Sequence, residues 1–212
     1  MNIKFKKYWR KTSLKKKEDG DYFLRHIEQL KPKNFLEIGV FHGVTSRNVC
    51  EILHFLHGSD FKFTGIDLFL NDSELLKNEC SPKTTFSNPL KTIYYRFIIK
   101  SDPYSPESVN KLLRKFKKNV NIIKGNSNEV LKKINLDGID YVFLDGGHRY
   151  ETVKNDLENL TQIVNNKGLI LCDDYDLSYA SGVKKAIDEY VFRNKYNLKI
   201  LNSRFAEITK NF

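Results

Sequence analysis

The 212-residue sequence predicts an α/β fold: a seven-stranded, mostly parallel sheet with an antiparallel C-terminal strand and helices on both faces. Three observations predict it. Short, nearly continuous apolar runs alternate with segments of helical periodicity, the pattern of a parallel sheet covered on both faces. The last two apolar runs, in LKILNSRFAEITK, are joined only by a turn at Asn202-Ser203, too short for a parallel crossover, so that pair is antiparallel. Finally, 40% hydrophobic residues, with 15 Phe and 11 Tyr, supply the core of a compact domain and argue against global disorder.

The elements follow in order. Phe23, Ile27 and Leu30 recur at helical spacing in residues 20–30, and Pro32 breaks the pattern. NFLEIGV (34–40) reads as the first buried strand. Gly43 opens a second helix with apolar positions at Val44, Val49, Ile52, Leu53 and Leu56, closed by Gly58. FKFTGIDLF (61–69) is the second strand. A helix is expected at 106–118, a strand at 120–125, a short helix at 127–134 and a strand at 139–145. An amphipathic helix at 149–164, a strand at 167–174 and a helix at 181–193 precede the terminal pair. Residues 70–105 fit poorly. They hold Pro82, Pro89 and Pro103, with Pro106 just beyond, and have weak periodicity, which marks an insertion serving as a lid, a binding loop or a disordered segment. Tyr94, Tyr95 and Phe97 within it either line an acceptor pocket or pack the insertion onto the sheet.

Charge is unevenly placed. Residues 1–17 carry Lys4, Lys6, Lys7, Arg10, Lys11, Lys15, Lys16 and Lys17 and no acid, within a formal net charge of +10. Such a block is either an arm for nucleic acid or another anionic surface, or a solvated terminus, and the second reading is preferred because a charge block alone says little about partners. The division is thus a basic tail at 1–18 and one domain at 19–212. No apolar run of about 20 residues is present to span a bilayer, and the basic N-terminus lacks the apolar segment of a secretory signal. Cys50, Cys80 and Cys172 match neither a disulfide framework nor a zinc site, consistent with a reducing, cytoplasmic setting. Cys172 lies within an apolar strand and reads as a buried thiol; His54 and His57 read as a solvated helix face.

Ligands of an open parallel sheet bind outside the carboxyl ends of its strands. The first strand ends in Glu37, Gly39 and Gly43, followed by Thr45 and Ser46 at a helix N-terminus; the glycines let backbone approach a ligand. The second ends in Asp67, suited to ribose hydroxyls. The third ends in Gly125-Asn126-Ser127, the fourth in Asp145-Gly146-Gly147-His148, and the fifth in Asp173-Asp174. Each has a structural alternative, since glycines make turns and Asp, Asn and Ser cap helices. Five strand ends bearing such residues on one edge argue for a ligand site.

FLEIGVFHGVTS, TGIDLF, KGNSNEVL, YVFLDGGHRYETVKNDL and GLILCDDY together resemble the successive motifs of class I S-adenosylmethionine-dependent methyltransferases, which have a Rossmann-like sheet. More narrowly, they are similar to the catechol O-methyltransferase-like branch and to bacterial small-molecule and sugar O-methyltransferases with an acid-Gly-His signature. The resemblance runs from about residue 33 to 175 and omits the basic tail and the insertion. It implies that Glu37, Gly39 and Gly43 shape the pocket for the methionine part of the cofactor, with Thr45 or Ser46 near its carboxylate. It implies further that Asp67 holds the ribose, that Asn126 and Ser127 lie by the adenine, and that Asp145 borders the cofactor. It also implies a divalent ion, Mg²⁺ or a similar cation, on Asp145, Asp173 and Asp174. The catechol enzymes have Asn at the last of these positions, and a lysine near the position of His148, so the base differs here.

Methyl transfer to oxygen needs an aligned and nearly deprotonated nucleophile. A cation held by hard oxygens lowers a hydroxyl's pKa, and His148, with an ordinary histidine pKa of about 6.5, is suited to take the proton. Asp145 shares that catalytic edge. A histidine bonded to backbone at a strand end, and acids capping helices, remain the structural alternatives. The expected activity is O-methylation of a small hydroxylated acceptor such as a sugar. The alternatives are a nucleic-acid methyltransferase using the basic arm, and a non-catalytic module that keeps the fold.

Overall fold

A computed structural model describes residues 4–70, 88–136 and 138–211. Seven strands form one sheet in the order β3-β2-β1-β4-β5-β7-β6: β1 (Asn34–Ile38), β2 (Lys62–Asp67), β3 (Val120–Lys124), β4 (Ile139–Leu144), β5 (Val164–Cys172), β6 (Asn197–Leu201) and β7 (Phe205–Thr209). β1 through β5 pair in parallel, whereas β7 runs antiparallel to both β5 and β6. The expected architecture is therefore observed. The order reverses between β1 and β4, each linked onward by helical crossovers to opposite sides, which opens a crevice at their carboxyl ends.

Alternation along each strand divides the core into two layers. Phe35, Phe63, Tyr141 and Phe143 face one side, where they meet Phe23, Leu24 and Ile27 of α1 (Lys17–Leu30) and Val49, Ile52 and Leu53 of α2 (Val44–His57). Leu36, Ile38, Val142, Leu144 and Ile170 face the other. There they meet Val153, Leu157 and Leu160 of α6 (Tyr150–Ile163) and Val183 and Ile187 of α7 (Ser181–Asn194). Aromatic stacking across neighbouring strands, such as Phe35 on Tyr141 at 4.8 Å between centroids, ties β1 to β4 beneath the crevice. Among the described residues, no helix is long and apolar enough to cross a membrane.

Three local features differ from the expectations. The helix expected at 106–118 is α4 (Pro106–Leu112), capped by Ser105, and then tightens into a 3₁₀ turn at Arg114–Phe116 that buries Phe116. Part of the insertion is helical: Asn88 caps α3 (Pro89–Ile93), which continues as a π-helical turn over Tyr94–Ile99. Pro89 therefore starts a helix, the one position where its missing N–H costs nothing. Residues 71–87 of the expected insertion lie outside the described residues.

The third concerns the N-terminus. The preferred reading of the basic block at 1–17 is a solvated terminus, yet Phe5 and Leu14 are buried in the core and Arg10 is 9% exposed. Phe5 packs so closely on α1 that a Cβ at Gly20 would lie 2.4 Å from its ring. Arg10 donates to the carbonyls of His42, Pro103 and Ser108 at 3.0 to 3.2 Å and to Ser108 Oγ at 2.9 Å. The physical reason is that the basic block also carries apolar anchors at intervals, and a guanidinium is buried readily when carbonyls satisfy its donors. Lys4, Lys6 and Lys7 stay exposed between those anchors.

Candidate active site

Backbone bonds extend the sheet past its strand ends and line up the expected residues. The amide of Gly39 donates to Ile66 O at 2.9 Å, that of Asp145 to Ile38 O at 2.8 Å, that of Asp173 to Leu144 O at 3.0 Å and that of Gly125 to Asp67 O at 2.9 Å. Gly39 is required here. Its φ is +95°, and a Cβ would lie 2.0 Å from the Asp145 carbonyl oxygen.

On the cofactor side, Glu37 is fully buried. Ser46 Oγ donates to Glu37 Oε2, while Oε1 has no hydrogen-bond partner among the described residues. Burial pushes the Glu37 carboxyl up to about 8, against the Ser46 bond that lowers it, with the Asp67 charge adding to the rise. An orphaned buried carboxylate oxygen favours a cationic donor, and the ammonium of an S-adenosylmethionine methionine group has that chemistry. Thr45 is buried beside Ser46 in the first turn of α2, and Gly43 turns into that helix with φ of +72°. Asp67 Oδ2 accepts from the amide of Phe41 at 2.7 Å, and Oδ1 from the amide of Phe69 and the Tyr104 hydroxyl, both at 2.9 Å. Burial raises Asp67 and those donors pull it back. Phe41 sits in the left-handed region, φ of 51°, which aims its amide at Asp67. The Tyr104 hydroxyl is the one of these three donors that comes from outside the two strand-end loops. Asn126 Oδ1 accepts from the Asn128 amide at 3.0 Å, capping α5 (Ser127–Lys133), so its side chain serves the helix and Ser127 is the first helical residue.

On the acid side, Asp145, Asp173 and Asp174 each offer a carboxylate oxygen, all within 4.8 Å of one another. His148 Nε2 lies 3.0 Å from Asp174 Oδ2. The pair is held where Gly146 and Gly147 leave space; Leu144, Val153, Cys172 and Val183 wall the same small pocket. Asp174 has φ of 59°, a left-handed conformation uncommon for residues other than Gly and adopted more readily by Asp than by most. Burial, together with the charges of Asp173 and Asp174, drives the Asp145 carboxyl well above the usual range; the Ser13 hydroxyl, 2.5 Å from Asp145 Oδ2, and Arg204 oppose the shift.

Two residues of this cluster carried no signal in the strand-end pattern. Ser13 reaches Asp145 from the N-terminal segment. Arg204, in the β6–β7 turn, bonds both oxygens of Asp173, Nε to Oδ1 at 2.5 Å and Nη2 to Oδ2 at 2.6 Å, and its Nη2 lies 3.2 Å from Asp174 Oδ1. Nη1 is 3.7 Å from Asp19 Oδ2 of α1. A basic residue in a turn beside β5 was the only sequence clue. The donor set of hard oxygens suits a divalent ion, but the guanidinium already fills it, so the residues as arranged do not fit that ion.

Other candidates resolve as structural. Cys172 is buried, His54 Nδ1 contacts Gly58 O at 2.8 Å and His57 Nε2 contacts Pro32 O at 3.1 Å. Tyr95 is buried with Arg10 over its ring at 5.8 Å, and Tyr94 meets Trp9 edge-on, so these two pack the insertion, while Phe97 is exposed.

The fold recurs in known proteins. The O-methyltransferase NovP superposes with a TM-score of 0.66 at 20% identity, over 91% of this chain and 81% of that one. The SAH-bound methyltransferase PaMTH1 of Podospora anserina gives 0.60 at 14% identity, over 94% and 80%. CalS11, a TDP-rhamnose 3′-O-methyltransferase of calicheamicin biosynthesis, gives 0.60 at 13% identity, over 89% and 77%. At these identities the likeness is one of fold. A curated relative, uncharacterized protein R132 of Acanthamoeba polyphaga mimivirus, is 39% identical over 56 residues, spanning 26% of this chain and 25% of that protein. A family model for the methyltransferase domain matches residues 36–175, the stretch from β1 to just past β5 that carries every strand-end residue described above. The chain belongs to the methyltransferase-domain family.

Proposed function

We propose that the chain is an S-adenosylmethionine-dependent O-methyltransferase acting on a hydroxyl of a small molecule, a sugar or another hydroxylated metabolite. The observation that carries this reading is the His148–Asp174 pair at 3.0 Å, set at the carboxyl edge of the sheet with Glu37 and its orphaned oxygen on the neighbouring strand pair. S-adenosylmethionine, when bound, supplies an electrophilic methyl group on a sulfonium. Glu37 receives a cationic group of the cofactor at Oε1, Asp67 takes hydroxyl hydrogen bonds, and Gly39 keeps the β1 and β4 loops in contact beneath them. With the cofactor held by Glu37 and Asp67, an acceptor hydroxyl at this edge would be placed to give its proton to His148 as it takes the methyl group the cofactor supplies. In a neutral ring that donates Nε2–H to Asp174, Nδ1 is the basic nitrogen; Asp174 fixes the tautomer and stabilises the imidazolium. The sugar class is supported by CalS11 among the structural neighbours and by the acid-Gly-His motif.

The test is a thermal melt with and without S-adenosylmethionine, followed by a screen of hydroxylated metabolites for S-adenosylhomocysteine release. A native-state ligand raises the melting temperature, and Asp67→Ala abolishes that rise. A parent protein that ignores S-adenosylmethionine sinks the proposal.

A further inference from the structure

We infer that Arg204 occupies the cation position of the Asp145–Asp173–Asp174 cluster, so that this chain works with a built-in guanidinium where a divalent ion would otherwise sit. The inference deepens the methyltransferase reading and rests on it for the role of the cluster; the cation-binding test below stands independently.

Three acids within 4.8 Å require positive charge to be held together away from water. Beyond a proton kept on Asp145, two sources are available to a protein: a bound metal or a basic side chain. Here five of the six carboxylate oxygens are already engaged by the chain's own groups. Ser13 holds Asp145 Oδ2, Arg204 holds both oxygens of Asp173 and Oδ1 of Asp174, and His148 holds Asp174 Oδ2. The fork on Asp173 is bidentate, the strongest geometry a guanidinium makes with a carboxylate. The backbone fixes it there as well. Arg204 O accepts from the Tyr175 amide at 3.0 Å, and the Arg204 amide donates to Leu201 O at 3.1 Å, so the turn is tied to the segment that carries Asp173 and Asp174. The head is enclosed from outside by Asp19 at 3.7 Å and by Ser13 O at 3.5 Å, leaving its side chain 14% exposed. A small divalent ion demands several oxygens at about 2.1 Å in near-octahedral order. Meeting that demand here would require the guanidinium to leave Asp173.

Arg204 is thus a positioning residue. It holds Asp173 and Asp174, and through Asp174 it holds His148. The placement follows from topology: β7 inserts between β5 and β6, which brings the β6–β7 turn beside the end of β5.

The experiment is a Mn²⁺ titration of EDTA-treated, full-length protein read by the electron paramagnetic resonance of the free ion. Wild type is compared with Arg204→Met, which removes charge and keeps bulk, and with the double variant carrying Asp173→Asn as well. The expected result is no stoichiometric binding by wild type, about one ion per chain in Arg204→Met, and loss of that site in the double variant. Wild type that takes up about one Mn²⁺ per chain, with loss on Asp173→Asn, overturns the inference. So does a folded Arg204→Met that ignores Mn²⁺. If Arg204→Met fails to fold, the wild-type titration decides alone. With an acceptor from the hydroxyl screen, wild-type turnover in EDTA equals that in Mg²⁺; a loss of tenfold or more in chelator that Mg²⁺ restores refutes it. The S-adenosylmethionine melt separates the two readings, because a cofactor shift persists even where the cation inference fails.

Discussion

Replacing Glu37 by Gln removes a carboxyl that folding forces into a dry site while one of its oxygens lacks a hydrogen-bond partner among the described residues. Its pKa rises from an ordinary 4.5 to about 8, because burial penalises the charged form. At 1.36 kcal/mol per pH unit this corresponds to about 5 kcal/mol, taken as an upper figure. The sign follows from the direction. The folded state holds the proton more tightly than the unfolded chain, so the contribution is fully present below pH 4.5 and is lost as pH rises to about 8. Glutamine does not titrate. Its amide costs a constant amount for any unmet hydrogen bond, and that cost is independent of pH. Denaturant or thermal unfolding of both proteins from pH 5 to 8.5 therefore gives a wild-type curve falling more steeply. For a chain of this size, about 5 kcal/mol appears as a divergence in melting temperature of roughly 10–20 °C. Adding S-adenosylmethionine at pH 8 restores wild type, because a cationic group beside Oε1 favours the ionised carboxylate, and leaves Glu37→Gln unchanged. Parallel pH curves for the two proteins would refute the reasoning.

His148→Ala should lower turnover by roughly 10²–10⁴-fold while keeping the S-adenosylmethionine melting shift; an unchanged rate returns His148 to a structural role. Arg10→Ala deletes four hydrogen bonds of a buried guanidinium and should cost about 3 kcal/mol in denaturant unfolding, whereas a truly solvated arm would show no change. Gly39→Ala places a methyl 2.0 Å from a carbonyl oxygen at a φ of +95° and should destabilise by more than about 4 kcal/mol; a melting point equal to wild type would contradict the close approach of β1 and β4.

Much of the fold and half of the site are legible in the one-dimensional pattern, because local rules decide them. Apolar runs of strand length alternating with helical periodicity specify a parallel sheet, and a turn too short for a crossover specifies the antiparallel end. A parallel sheet in turn brings the residues after its strands to one edge, which is why Glu37, Asp67, Asp145, His148, Asp173 and Asp174 could be named before any contact was known. The helix at 89–99 was obscured by the prolines around it. Asn126, expected by the adenine, caps α5 through its Oδ1.

The tertiary structure alone decided what neutralises and encloses those acids. Arg204 lies 30 residues from Asp174 and Ser13 lies 132 from Asp145, and nothing local in either segment marks the partner. Their meeting depends on where β7 inserts in the sheet and on Phe5 and Leu14 burying the N-terminal segment, and both are outcomes of packing. Sequence by itself determined which groups stand along the edge, since strand ends are set by short-range pattern. Only the folded chain determined their charge state and partners, since burial and long-range pairing set the electrostatics of a carboxylate.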